Sequence, residues 1–139
     1  MVRVAFFAPW LFTGGTQRHL QQVVELLDRS QFEANVFTLR AGGDVEGELR
    51  ARGVAVTSLG IGSDVVGPLA VRGILRAAKR LRTAHIDIVH GYQWRPALIG
   101  ALAGRLAGVP LVIAGKRSLT GTALTERLFC GDGGLRFTA

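Results

Sequence analysis

Three short clusters in this 139-residue chain carry side chains and backbone suited to chemistry. The first is Pro9-Trp10-Leu11-Phe12-Thr13-Gly14-Gly15-Thr16. Adjacent glycines let the backbone come close to a ligand, and a helix starting there aims its free N–H groups at an anion. The second is His90-Gly91-Tyr92-Gln93-Trp94-Arg95. Aromatic faces of this kind stack on sugar rings or bases, while Gln93 and Arg95 can hydrogen-bond hydroxyls or phosphates. The third is Gly115-Lys116-Arg117-Ser118, whose paired cations could neutralise a phosphate or a departing anion. Each has a plainer alternative: a tight turn without ligand, an indole that only packs, a strand-end histidine, and solvated surface charge.

Several chemistries are excluded. The glycine turn continues as Gln17-Arg18-His19, so it is neither the G-x-G-x-x-G dinucleotide fingerprint nor a Gly-Lys-Ser/Thr phosphate loop. Cys130 is the one cysteine, which rules out an internal disulfide and a four-cysteine metal cluster.

The elements that must position these clusters follow from two alternating periodicities. Apolar runs at Val4 to Ala8, Asn35 to Leu39, Val54 to Leu59, Ile86 to His90 and Leu111 to Ala114 predict five strands. Between them, Leu20, Val23, Val24 and Leu27 recur at helical spacing, with Arg18, Gln21, Gln22 and Glu25 opposite and Thr16 placed to cap. Asp44 is placed to cap a second helix, with Glu46 and Glu48 in its first turn and Gly53 as its stop. Pro68 opens a third, whose inward stripe is predicted as Val71, Ile74, Leu75, Ala78 and Leu81. Pro96 starts a fourth, with Leu98, Ile99, Leu102 and Leu106 inward and Gly108 and Pro110 ending it. Gly100 and Gly104 are expected to let that helix approach the sheet. Strands alternating with amphipathic helices predict an α/β, Rossmann-like open parallel sheet of about five strands with flanking helices. Its ligand edge lies where the loops after strands one, four and five meet. Residues 122–139 show no clean period and read as a divergent or truncated tail.

The charge balance narrows the partners. Lys and Arg number 17 against 10 Asp and Glu, a net charge of +7 that suits phosphates, nucleic acid or an acidic membrane surface. Arg72, Arg76, Lys79, Arg80 and Arg82 line the outer arc of the third helix. Such an arc is most often a wet face; a peripheral contact with anionic lipid is the alternative. Nucleic acid is disfavoured, because the cations are spread over several elements and no reading motif accompanies them. The stretch from Pro96 to Ala114 carries Arg105 and is broken by Pro110, so it does not make a membrane span. Pro9 interrupts the apolar N-terminus and no cleavage pattern follows, so a cytoplasmic protein is expected.

Taken in order, these motifs resemble a known family. Gly14-Gly15-Thr16-Gln17-Arg18-His19 is similar to the glycine turn of retaining GT-B glycosyltransferases of family 4. Glu48-Leu49-Arg50-Ala51-Arg52-Gly53-Val54, Asp87-Ile88-Val89-His90, Gln93-Trp94-Arg95-Pro96-Ala97-Leu98, Leu106-Ala107-Gly108-Val109-Pro110 and Lys116-Arg117-Ser118-Leu119 resemble its later landmarks. The similarity covers about residues 2–121, taken as one partial N-terminal domain. It implies an enzyme of two domains that moves a sugar from a nucleotide-sugar co-substrate to an acceptor, without a metal or other cofactor. The present chain would be the acceptor-side half, serving a small-molecule or lipid-linked sugar acceptor. Gly14, Gly15 and Thr16 would then face the donor diphosphate through backbone N–H groups. His90, Gln93, Trp94 and Arg95 would line the acceptor side, with Arg18, Lys116 and Arg117 among the substrate-binding positions. Two departures limit the carry-over. Lys116 stands where some members carry a catalytic-site histidine, so no catalytic residue is assigned. The donor domain with its E-x7-E-type motif has no counterpart in the sequence, so the chain is expected to be a fragment inactive without that partner. The alternative is a stand-alone phosphate- or nucleotide-binding module.

Overall fold

The computed structural model describes residues 1–62 and 66–115, and the backbone of 135–138. Strand β1 (Val2–Ala8) is followed by α1 (Gly15–Leu26), β2 (Phe32–Thr38), α2 (Asp44–Ala51) and β3 (Ala55–Ser58). Then come α3 (Pro68–Thr83), β4 (Ile88–Tyr92), α4 (Trp94–Ala107), β5 (Leu111–Gly115) and β6 (Leu135–Thr138). All pairings are parallel and the strand order is β3-β2-β1-β4-β5-β6. The five expected strands are present, and a sixth joins the edge from within the stretch whose sequence shows no period. An edge strand of four residues leaves too short a pattern to read.

The period of two along β1 divides the core. Val4, Phe6 and Ala8 pack with Leu20 and Val24 of α1 and Val45 and Leu49 of α2. Ala5 and Phe7 face the opposite layer, with Ala70, Ala77 and Leu81 of α3 and Ile99 and Ala103 of α4. Because β2 and β4 leave β1 on opposite sides, the chain changes direction between β1 and β4. Loops at the C-terminal ends of those two strands therefore diverge and open a crevice.

Four expectations need correction. Helix α1 begins two residues earlier than a Thr16 cap allows: Gly14, with φ −172°, is its N-cap. Gln21, placed on the outer side by pattern, is buried because it bonds across to α2. Asp44 lies inside α2, behind a Gly43 cap. The last correction concerns α3 and α4, whose small residues face the sheet while several large ones point out. Ala70, Gly73, Ala77 and Ala78 are buried on α3, whereas Val71 and Leu75 are exposed. On α4, Ala97, Gly100, Ala101, Ala103 and Gly104 are buried, whereas Leu102 and Leu106 are exposed. The cause is distance. A Cβ built on Gly91 of β4 would stand 2.3 Å from the Ala97 Cα, and one on Gly100 would stand 3.0 Å from the Phe7 ring. At these points α4 lies against the sheet with room for small side chains only, while Leu81 of α3 and Ile99 of α4 fill the wider places beside them.

Candidate functional site at the C-terminal strand ends

The β1–α1 loop is clamped by the start of α2. The Thr13 N–H donates to Asp44 Oδ1 at 2.9 Å, and the Thr13 hydroxyl donates to the same carboxylate. The Val45 N–H donates to the Leu11 carbonyl at 3.0 Å. Gly43 permits this approach: its φ of 119° is a glycine conformation, and a Cβ there would lie 2.2 Å from the Leu11 oxygen. The Thr13 hydroxyl holds the Asp44 carboxyl below its ordinary value, since these bonds require the ionised form.

The clamp leaves the glycine turn open. No side chain caps α1, and the first bond of its first turn runs from the Arg18 N–H to the Gly14 carbonyl at 2.9 Å. A Cβ built on Gly15 would meet no atom within 4 Å. The earlier N–H groups of this turn have no partner inside the helix, which leaves a positive dipole end facing an open space. Arg18 is committed elsewhere: Nη1 lies 3.0 Å from Glu48 Oε2 and 2.6 Å from Gln21 Oε1, and Nη2 lies 3.7 Å from Asp44 Oδ2. Hydrogen bonds from Gln21, then Arg18, hold the Glu48 carboxyl below its usual range. Asp44 and Glu48 stand four residues apart on α2, and that spacing, readable in the sequence, puts both on one face.

The cluster at the end of β4 is split between two places. His90 points to the α1 face, stacked on Tyr92 at 4.8 Å between ring centroids, with Phe6 at 5.7 Å from the imidazole. His19 of α1 reaches the same group, 5.9 Å from the Tyr92 ring. The end of β5 closes in as well, since a Cβ on Gly115 would lie 3.5 Å from His90 Nε2. Gln93, Trp94 and Arg95 instead line a depression of about 110 Å3 together with Pro9, Trp10, Leu39 and Gly62. Gly14, Gly15 and Thr16 are not part of its lining. The Arg95 guanidinium lies 5.1 Å from the centre of the Trp94 ring, a cation–π pair at the rim. Gln93 holds φ 66° and ψ 163°, a region that side chains other than glycine's hydrogen rarely enter. Trp10, expected as part of the glycine turn, belongs to the depression; an aromatic two residues past the end of the first buried strand is its signal in the sequence. Lys116 and Arg117 lie outside the described residues.

An open parallel sheet with an uncapped helix start and an aromatic depression at its change of direction defines a Rossmann-like domain with a candidate site at its C-terminal strand ends. More narrowly, the chain belongs to the glycosyl transferase 4-like domain family, which matches residues 14–126. It is 27% identical over 115 residues to the Escherichia coli UDP-Gal:alpha-D-GlcNAc-diphosphoundecaprenol alpha-1,3-galactosyltransferase, covering 81% of this chain and 29% of that protein. Its fold matches Acinetobacter baumannii MurG with a TM-score of 0.68 at 18% identity, over 91% of this chain and 39% of MurG. A glycosyltransferase from Rickettsia africae gives 0.70 at 19% identity, over 92% of this chain and 33% of that one. Anabaena HepE, solved with UDP and glucose, gives 0.65 at 18% identity, over 92% and 34%. The chain therefore has the glycosyltransferase-like N-terminal domain fold of GT-B enzymes, and spans 29% to 39% of the length of these relatives.

Proposed function

We propose that this chain is the acceptor-side domain of a retaining, nucleotide-sugar-dependent glycosyltransferase, inactive without a donor-binding domain. The single observation that carries this reading is the pairing at one sheet edge of an open, uncapped helix start with a tryptophan-lined depression. In the reaction, the bond from the anomeric carbon to the donor diphosphate breaks and a bond to an acceptor hydroxyl oxygen forms. The hydroxyl proton passes to the departing diphosphate. Charge develops on that diphosphate, and the α1 N–H groups at Gly15 and Thr16 are the fixed dipoles that stabilise it. Trp10 and Trp94 offer faces for the acceptor sugar, and Gln93 and Arg95 bond its hydroxyls or an attached phosphate. The acceptor class is a lipid-linked sugar diphosphate, as in the name of the E. coli relative.

Two experiments test this. Titration of the isolated chain with a short-chain lipid-linked sugar diphosphate should change tryptophan fluorescence, while UDP should bind weakly. Tight UDP binding with no response to the acceptor analogue would instead establish a stand-alone nucleotide module, the reading favoured by the open α1 start alone. In an enzyme that joins this domain to its donor domain, Gly15→Val should weaken donor binding about tenfold or more by filling the approach to the phosphates. Because a Cβ at Gly15 meets nothing in the protein, its melting temperature should stay the same. Unchanged donor kinetics would make the turn merely structural.

A further inference from the structure

The glycine turn is held in place by an acid, although the helix start that follows it favours anions. Thr13 directly precedes Gly14, the N-cap of α1. Both donors of Thr13 go to one carboxylate, the N–H at 2.9 Å from Asp44 Oδ1 and the hydroxyl to Oδ2. Among the groups that hold this carboxyl below its ordinary value, the Thr13 hydroxyl weighs most, ahead of the amides of α2 itself. The Asp44 side chain is half exposed, so burial does not force these bonds on it. Charge alone argues against the placement. A carboxylate bonded two residues before Gly15 repels any anion that arrives there, and Arg18 Nη2, 3.7 Å away, offsets that only in part.

We infer that Asp44 is a positioning residue for diphosphate binding at the α1 start: by fixing Thr13 it holds Gly14 and Gly15 in the conformation whose N–H groups meet the phosphates. Adjacent glycines have wide backbone freedom, and an anion that must order them on arrival binds more weakly. On the helix side the turn is fixed by the Arg18 N–H, which donates to the Gly14 carbonyl at 2.9 Å. On the strand side the hold comes from α2. The Val45 N–H donates to the Leu11 carbonyl at 3.0 Å, and both Asp44 oxygens take Thr13. The two glycines are thus bracketed by fixed points, and donors set in place beforehand bind a charge without reorganising. The inference rests on the reading of the α1 start as a phosphate site, and adds that the affinity of this site is set from α2.

The test follows the Gly15 and Thr16 amide signals of the purified chain by NMR, which reads weak binding, as inorganic pyrophosphate is added. Only these signals are read, because the exposed arginines of α3 also attract the anion. Asp44→Ala should weaken pyrophosphate binding at least about fivefold, although it removes a like charge. Asp44→Asn keeps an oxygen for the Thr13 N–H and loses the charge, so it should bind at least as tightly as the unchanged chain. Gly15→Val should weaken binding with the Asp44 contacts intact. Circular dichroism melts report the stability of each variant. If Asp44 served stability alone, Asp44→Ala would lower the melting temperature and leave the affinity of the folded protein unchanged. The role of Asp44 is overturned if Asp44→Ala binds as tightly as the unchanged chain or more so, or if Asp44→Asn is as weak as Asp44→Ala. Gly15→Val separates that failure from a failure of the reading beneath it. Where Gly15→Val weakens binding and Asp44→Ala does not, the turn is a phosphate site in which Asp44 has no part. Where pyrophosphate moves neither signal in the unchanged chain, the phosphate reading falls and the role of Asp44 falls with it.

Discussion

Gln93 places backbone strain at the candidate site. Its φ and ψ fall where glycine is at home, yet its side chain lines the depression with Trp94 and Arg95. Strain of this type costs roughly 1–3 kcal/mol, and it persists only where the surroundings enforce it. Replacing Gln93 with glycine should therefore raise the unfolding free energy by about 1 kcal/mol, after glycine's extra unfolded-state entropy is subtracted. The same change should lower affinity for an acceptor analogue, as read by fluorescence titration. Denaturant midpoints would check the first part; a loss of stability would show that the conformation is not strained. Of the candidate site residues, glycine turn and aromatic loop were both legible, because type and spacing sufficed. Their division into two subsites was not legible, since His90 and Gln93 are three residues apart in sequence but turn to different sides of the β4 end.

At the scale of elements, the clamp between α1 and α2 and the contact between α4 and β4 carry separate consequences. Asp44 and Glu48 both have native pKa values below their ordinary ones, so both favour the folded state when ionised. Above the ordinary carboxylate range that contribution is complete. As pH falls, the unfolded chain takes up protons first, so the contribution declines and vanishes once pH drops below the depressed native values. Thr13→Ala removes the largest cause of the Asp44 shift, so its carboxyl should titrate at higher pH, measurable by side-chain carbon NMR. An unmoved titration would show that the loop is held by Leu11 and Val45 alone. The α4 contact is steric. Gly91→Ala sets a methyl 2.3 Å from the Ala97 Cα, so α4 must move off the sheet at a cost of about 1–3 kcal/mol in chemical denaturation. Glycine at this position was visible in the sequence, but nothing nearby showed which helix would press on it.

For the whole molecule, the decisive feature is how charge is distributed. Ion pairs such as Arg3–Glu33 at 3.3 Å and Arg52–Glu25 at 3.0 Å link elements away from the α3–α4 layer. Exposed pairs of this kind contribute little, with a median of about 0–1 kcal/mol, so salt removes little by screening them. Arg72, Arg76, Lys79, Arg80 and Arg82 of α3 and Arg95 and Arg105 of α4, with no acid in either helix, repel one another, and screening relieves that over a length of about 10 Å at 0.1 M salt. The melting temperature should therefore rise as sodium chloride is added from low to physiological strength, as followed by circular dichroism. A fall would mean that the ion pairs outweigh the unmatched layer. Among the described residues no helix is long and apolar enough to cross a membrane.

The sequence by itself determined the alternation of buried strands and helices, the parallel α/β class and the location of the glycine turn and aromatic loop. These are local properties, since strand burial, helix periodicity and turn chemistry are written in neighbouring residues. Only the tertiary structure decided which face of α3 and α4 meets the sheet. Hydrophobicity pointed leucines inward; the close approach of α4 at Gly91 and Gly100 favours small side chains at those points, and a gap between elements is not written in either of them. The same holds for the Trp10 and Trp94 depression, the Arg18–Glu48 clamp and the β6 edge, each of which depends on segments brought together from distant parts of the chain.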